Sequence, residues 1–100
     1  MLLEVHLRVV KDAKGIIVAI CDTGLLGGIF RQGKLRLDVN QRFYGGPLSA
    51  IEVAMSALRD ADVGNLVGEK TVKAAIQKGL VDPEAVIYID KVPHVQIVRL

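Results

Sequence analysis

The chain has 100 residues, of which 51% are hydrophobic, 24% charged and 4% aromatic, with a net charge of +2. That length holds one domain, expected over residues 1–100. The 35 Val, Ile and Leu residues exclude disorder, 10 Gly and 3 Pro exclude a low-complexity chain, and a lone cysteine excludes a disulfide scaffold.

Leu3, Val5, Leu7 and Val9 alternate with Glu4, His6 and Arg8, which predicts a strand over Leu2 to Val10 with one wet face. Lys11 to Gly15 reads as a turn, and the continuous run Ile16 to Cys21 as a more buried strand, so the two form a hairpin. Gly24, Gly27, Gly28 and Gly33 make 22–33 a loop with one short helical turn at Leu25-Leu26. Lys34 to Val39 alternates again, with Leu35, Leu37 and Val39 inward, and Gly45-Gly46 marks a sharp loop.

Pro47 suits the first turn of a helix over 47–61, with Leu48, Ile51, Met55 and Leu58 at helical spacing. Its narrow polar stripe predicts a helix sandwiched in the fold or covered by a second subunit. Asp62 to Val67 fits either a loop or a short strand. Glu69 to Lys78 reads as a second helix, with Gly79-Leu80 as its C-terminal cap. Asp82-Pro83-Glu84 is a turn or helix start, and Val86 to Ile89 and His94 to Val98 make a final hairpin around Asp90 to Pro93. The expected fold is α+β, in the order β-β-β-α-α-β-β, with a mostly antiparallel or mixed sheet and two helices packed on it.

The basic excess sits in the first half: residues 1–45 hold seven basic and four acidic residues, and residues 46–100 hold six and seven. The longest apolar run, Ile16 to Cys21, has six residues, far short of the roughly 20 a spanning helix needs, so no membrane partner is expected. Charged residues interrupt the first ten positions, so no secretory leader is expected, and a single cysteine suits a cytoplasmic location. A mean hydropathy of +0.38 leaves apolar surface to be exposed or buried between subunits, so a homodimer or other homo-oligomer is expected.

Cys21-Asp22, Leu26-Gly27, Phe30-Arg31, Gly33 and Phe43-Tyr44-Gly45-Gly46 occur in order, followed by Asn65 to Glu69, Gly79 to Asp82 and Pro93 to Ile97. Together, over essentially the whole chain, they resemble the archaeal domain-of-unknown-function family 424. The resemblance implies an archaeal cytoplasmic protein of about this length in the company of translation factors. It implies no catalytic assignment.

Three constellations carry chemistry. Arg31, Lys34, Arg36 and Arg42 lie within twelve residues, offset by Asp38. Strand alternation puts Lys34 and Arg36 on one face about 7 Å apart, close to successive phosphates. Phe43 and Tyr44 follow at once, and an exposed Tyr44 would stack on a base. The ordinary alternative is a solvated strand face with Phe43 in the core. Second, Gly45-Gly46 and Gly27-Gly28 would allow close approach of a ligand, and Gly68 opens a helix whose free N–H groups suit an anion. The spacing lacks a phosphate-loop pattern, so tight turns and caps are the simpler reading. Third, Asp22, Asn65, Glu69, His94 and Gln96 end separate elements and would converge as a polar pocket in an enzyme, and Cys21 with His94 would make a nucleophilic pair if they met. Cys21 more simply reads as an inert small hydrophobe.

Two His and one Cys without ligand spacing predict no metal or cofactor. The leading expectation is a noncatalytic RNA- or ribonucleoprotein-binding accessory protein of translation, contacting RNA through Arg31, Lys34, Arg36, Arg42 and Tyr44. The alternatives are a protein-interaction or homo-oligomeric accessory subunit, and an enzyme built on the polar pocket.

Overall fold

The computed structural model describes residues 3–99, so Leu2 of the first predicted strand lies outside them. Strands β1 (Glu4–Asp12) and β2 (Gly15–Asp22) form the expected hairpin, closed by a two-residue turn at Ala13 and Lys14. A 3-10 turn at Thr23–Leu25 leads to β3 (Ile29–Gln32) and β4 (Leu35–Asp38). The short helix α1 (Gln41–Tyr44) follows, then β5 (Leu48–Ala50), α2 (Ile51–Arg59) and β6 (Val63–Val67). Helix α3 (Glu69–Gln77), a 3-10 turn at Pro83–Ala85, and strands β7 (Ile87–Ile89) and β8 (Val92–Val98) complete the order.

The fold is α+β, built on a mixed six-stranded sheet ordered β5-β1-β2-β6-β8-β7, with β3 and β4 as a separate two-stranded sheet. Among the described residues only β2 and β6 pair in parallel. The parallel pair sits at the centre, with a core packed on each face of the sheet. This explains the unbroken apolar run in β2, whose alternate residues serve two cores. Val18 and Ile20 join Val5, Leu66 and Val95 under Ala54, Met55 and Leu58 of α2 and Val72 and Ala75 of α3. Ala19 and Cys21 join Val67, Ile89 and Val92 on the opposite face, beneath Leu37, Val39 and Tyr44. The molecule therefore has three layers: two helices, the main sheet, and a hairpin with α1.

Several local expectations change, and the open alternative at 63–67 resolves to a strand. Ile29–Gln32 is a strand rather than loop, because Gly33 at φ 60° turns the chain back and lets Phe30 pair with Leu37 over the second core. Pro47 does not open a helix, and residues 48–50 run extended along the outer edge of β1. There the Leu7 N–H donates to the Pro47 carbonyl at 3.0 Å, so pairing the free edge of β1 outweighs helix propensity in this stretch. Residues 63–67 form a central strand, and Gly64 leaves room for the Leu58 side chain above it. Helix α2 is one-sided rather than sandwiched: Glu52, Val53, Ser56 and Arg59 face solvent.

Helix α3 ends as its sequence predicts. Gly79 at φ 71° follows the last turn, its N–H donates to the Ile76 carbonyl, and the Leu80 N–H donates to Ala75. This is the paired-bond Schellman stop, and Leu80 then packs on the first core. The last hairpin turns at Asp90 and Lys91, both at positive φ, so Val92 and Pro93 lie in the strand rather than the turn.

Gly46 and Gly79 are glycine for different reasons. A side chain at Gly79 meets open space, whereas one at Gly46 would overlap the Leu7 carbonyl. Gly79→Ala is expected to cost about 1 kcal/mol from backbone strain alone. Gly46→Ala is expected to cost about 2 kcal/mol or more, because residues 45–47 must move off β1. Urea denaturation of both variants gives the order, and an equal or reversed cost contradicts this close approach.

Candidate functional site

Asp22 ends β2 and points its carboxylate at the first turn of α3. One oxygen accepts from the Lys70 N–H at 3.0 Å, and the other accepts from the Thr71 N–H at 2.9 Å and the Thr71 hydroxyl at 2.8 Å. Those two backbone donors are the ones a helix's own capping side chain would take. Here Gly68 holds the capping position at φ 111°, and a side chain there would collide with the Asp22 carboxylate. The helix N-terminus that the sequence offers to an anion is therefore filled by Asp22 itself.

The polar residues do not converge as one pocket. A cleft of about 370 Å³ at the α3 N-terminus is lined by Asp22, Glu69, Lys70 and Lys91 among others, but not by Asn65 or His94. Strand alternation sends Asn65 and His94 to the face of the sheet away from α3. His94 Nδ1 donates to the Leu66 carbonyl at 2.9 Å, which spends one ring nitrogen on the backbone. Asn65 lies directly opposite Gln96 on the neighbouring strand, so these two predicted residues do meet. Gly45 and Gly46 serve packing: His6 Nδ1 donates to the Gly46 carbonyl at 2.9 Å.

Cys21 and His94 do not form a nucleophilic pair. Both align with Val67, one strand away on either side, which sets their backbones about 10 Å apart. The histidine opposite Cys21 is His6. Burial, and then the nearby Asp22 charge, push the Cys21 thiol up to about 11, so it stays protonated at neutral pH. Among the described residues no group of three His, Cys, Asp or Glu is placed to hold a metal ion. Asp62 is engaged structurally, accepting the Ile16 N–H at 2.7 Å.

The basic residues sit on the third layer. Arg31 and Arg36 are directly opposite on β3 and β4 and share the solvent face of the hairpin, while Phe30 and Leu37 face the core. Like charges in this position repel, at a cost of a few tenths of a kcal/mol. Asp38 offsets part of it, 3.7 Å from Arg36, with both side chains near half exposed. Lys34 lies in the turn rather than on the strand, so the neighbour of Arg36 is Arg31 and not Lys34. Arg42 is exposed on α1. Residues 29–44 carry Arg31, Lys34, Arg36 and Arg42 against Asp38, a charge of +3 in a chain of +2. This layer thus holds the whole net charge of the protein and more.

Tyr44 does not belong to that surface. It is 4% exposed, its ring meets Phe43 edge-on at 4.9 Å, and burial followed by the Cys21 charge push its hydroxyl up to about 12. Asn40 caps α1 by accepting the Phe43 N–H at 2.8 Å, and this turns Tyr44 inward. The base-stacking role expected for Tyr44 has no exposed ring face to use. Sequence reasoning also missed Arg8. The strand register places it in one row with Ala19, Asn65 and Gln96.

The family described as "Protein of unknown function (DUF424)" matches residues 10–100. No curated protein matches the chain. The crystal structure of an uncharacterized conserved protein from Methanopyrus kandleri superposes with a TM-score of 0.78 at 23% identity, covering 94% of this chain and 90% of that one. At that identity the likeness concerns the fold. No helix among the described residues is long and apolar enough to cross a membrane.

Asp22→Ala is expected to lower stability by about 2 kcal/mol in urea, with a smaller loss for Asp22→Asn, which keeps one acceptor. Unchanged stability would remove the capping role. A second test is alkaline. The thiol and hydroxyl have ordinary values of 9.0 and 10.0 and are raised to about 11 and about 12 in the fold. The unfolded chain therefore holds fewer protons across that interval, and stability falls as pH rises. The contribution is fully present below pH 9 and is lost through about 11 to 12. Cys21→Ala should make the decline shallower in a denaturation series.

Proposed function

We propose, for a chain that belongs to the DUF424 family of proteins of unknown function, a noncatalytic role in binding RNA or a ribonucleoprotein. The observation that carries this reading is the Arg31–Arg36 pair on the open face of its own hairpin. Two guanidinium groups held side by side destabilise the free protein, and a phosphate backbone relieves that repulsion. Lys34 at the turn and Arg42 on α1 extend the contact, and the local charge of +3 favours a polyanion. The free, buried Cys21 suits work in a reducing compartment such as the cytoplasm.

A second reading is self-association through the sheet edge. Leu48 on the edge strand β5 is 55% exposed and Val53 on α2 is 56% exposed. Pairing of two such edges would bury both and form a homodimer with little salt dependence.

The decisive test is binding of single-stranded RNA across a salt series. Wild type should lose affinity with a log–log slope of about −0.7 for each phosphate contacted. Changing Arg31, Lys34, Arg36 and Arg42 to Gln should flatten that slope by as much as about 3. Absence of binding at low salt overturns the reading. Sedimentation at low and high salt then separates it from the dimer, which persists in both.

A further inference from the structure

The third layer covers this sheet face fully over Cys21 and Val67, and beyond them the face is organised in rows that are open in part. Reading the register across the strands, one row is Arg8, Ala19, Asn65 and Gln96, and the next is Val10, Ile17, Val63 and Val98. Ala19 is buried, but Gln96 is exposed, and Arg8 and Asn65 are partly so. The hairpin and α1 pack on this same face over Cys21 and Val67. Its outer Arg31–Arg36 surface and the open rows therefore look to the same side of the molecule.

We propose that the Arg8–Asn65–Gln96 row receives an unpaired nucleobase of the RNA whose phosphates the basic layer holds. This rests on the reading of the protein as an RNA binder and adds where a base would be read. Adjacent carboxamides each offer a donor and an acceptor, the complement of the Watson–Crick or Hoogsteen edge of a splayed base. A guanidinium supplies a flat cation on which a base stacks where no aromatic ring is exposed. Arg8 and Asn65 lie one strand apart on either side of β2, about 10 Å between backbones, over the buried Ala19, so the accessible part of the row is the partly exposed Arg8 and Asn65 with the exposed Gln96. The adjoining row of four branched aliphatic residues gives a base or ribose an apolar border. Charge marks the limits of the site. Glu4 and Asp12 share this face at the two ends of β1, about 13 Å along the strand from Arg8. They keep a phosphate chain off the strand ends and toward the hairpin.

The experiment compares short single-stranded homopolymers of A, C and U as labelled oligonucleotides. Wild type should prefer one of them. Asn65→Ala with Gln96→Ala should weaken the preferred oligonucleotide about tenfold, level the three affinities, and leave the salt slope unchanged. Gln96→Ala alone changes only an exposed side chain and serves as a folding-safe version, with a smaller loss. In the unmutated protein, the side-chain amide NMR signals of Asn65 and Gln96 should shift on adding the preferred oligonucleotide. Equal affinities for all three in wild type, or a preference that survives in the double variant, would overturn base reading while leaving the phosphate contact intact. Failure of every oligonucleotide to bind at low salt would overturn both.

Discussion

The carboxylate of Asp22 ties the end of a central strand to the start of a helix. Strand β2 pairs with β1 on one side and β6 on the other, and the chain leaves β6 through Gly68 into α3. Asp22 closes that corner by accepting three hydrogen bonds from Lys70 and Thr71. A negative charge at a helix N-terminus is favourable, and the cap satisfies donors that burial would otherwise orphan. The buried Thr71 hydroxyl finds its partner here, and Val72 and Ala75 are then held over Ile20 and Leu66. The same interaction occupies the anion site that the helix would otherwise offer.

A strand buried on both faces dictates the layering. Val18 and Ile20 are large and meet α2 and α3; Ala19 and Cys21 are small and leave space for Tyr44, Leu37 and Val39. The second core needs a cover, and the only chain available between β2 and β5 is the hairpin with α1. Glycine makes that cover compact. Gly33 turns the hairpin, Gly45 closes against Gln41 at the end of α1, and Gly46 brings the chain back against β1. Burial beneath this cover also holds the Cys21 thiol in its protonated form at neutral pH, packed within the second core.

The cover is also where the charge lies. Of its apolar residues Phe30, Leu37, Val39 and Tyr44 turn inward, while Ile29 and Leu35, the latter expected inward from the alternation, are half exposed at the ends of the short hairpin. Its outer face carries Arg31 and Arg36, which repel one another across the hairpin, beside Ile29 and Asp38. Stability and electrostatics are thus assigned to opposite faces of one thin layer. Altering the outer charges leaves the inner packing untouched, which makes this the part of the molecule where a binding role is separable from the fold.

Much of the frame was legible along the chain, because period and turn chemistry are local. The first hairpin, the α3 helix with its glycine stop, the last two strands and the α+β class all follow from alternation, helical spacing and positive-φ glycines. The family resemblance was carried by short motifs spread over the whole length. Long-range geometry was not legible. Residues 48–50 look helical until the free edge of β1 competes for their backbone, and 29–32 look like loop until Phe30 finds the second core. The candidate site divides in the same way. The identity and exposure of Arg31, Lys34, Arg36 and Arg42 were visible in the sequence. The placement of Arg31 against Arg36, the burial of Tyr44, the capture of α3 by Asp22 and the row joining Arg8 to Gln96 were decided by the tertiary structure. Each depends on which strands lie side by side, and strand neighbours are chosen by burial and hydrogen-bond closure over distances that no local pattern encodes.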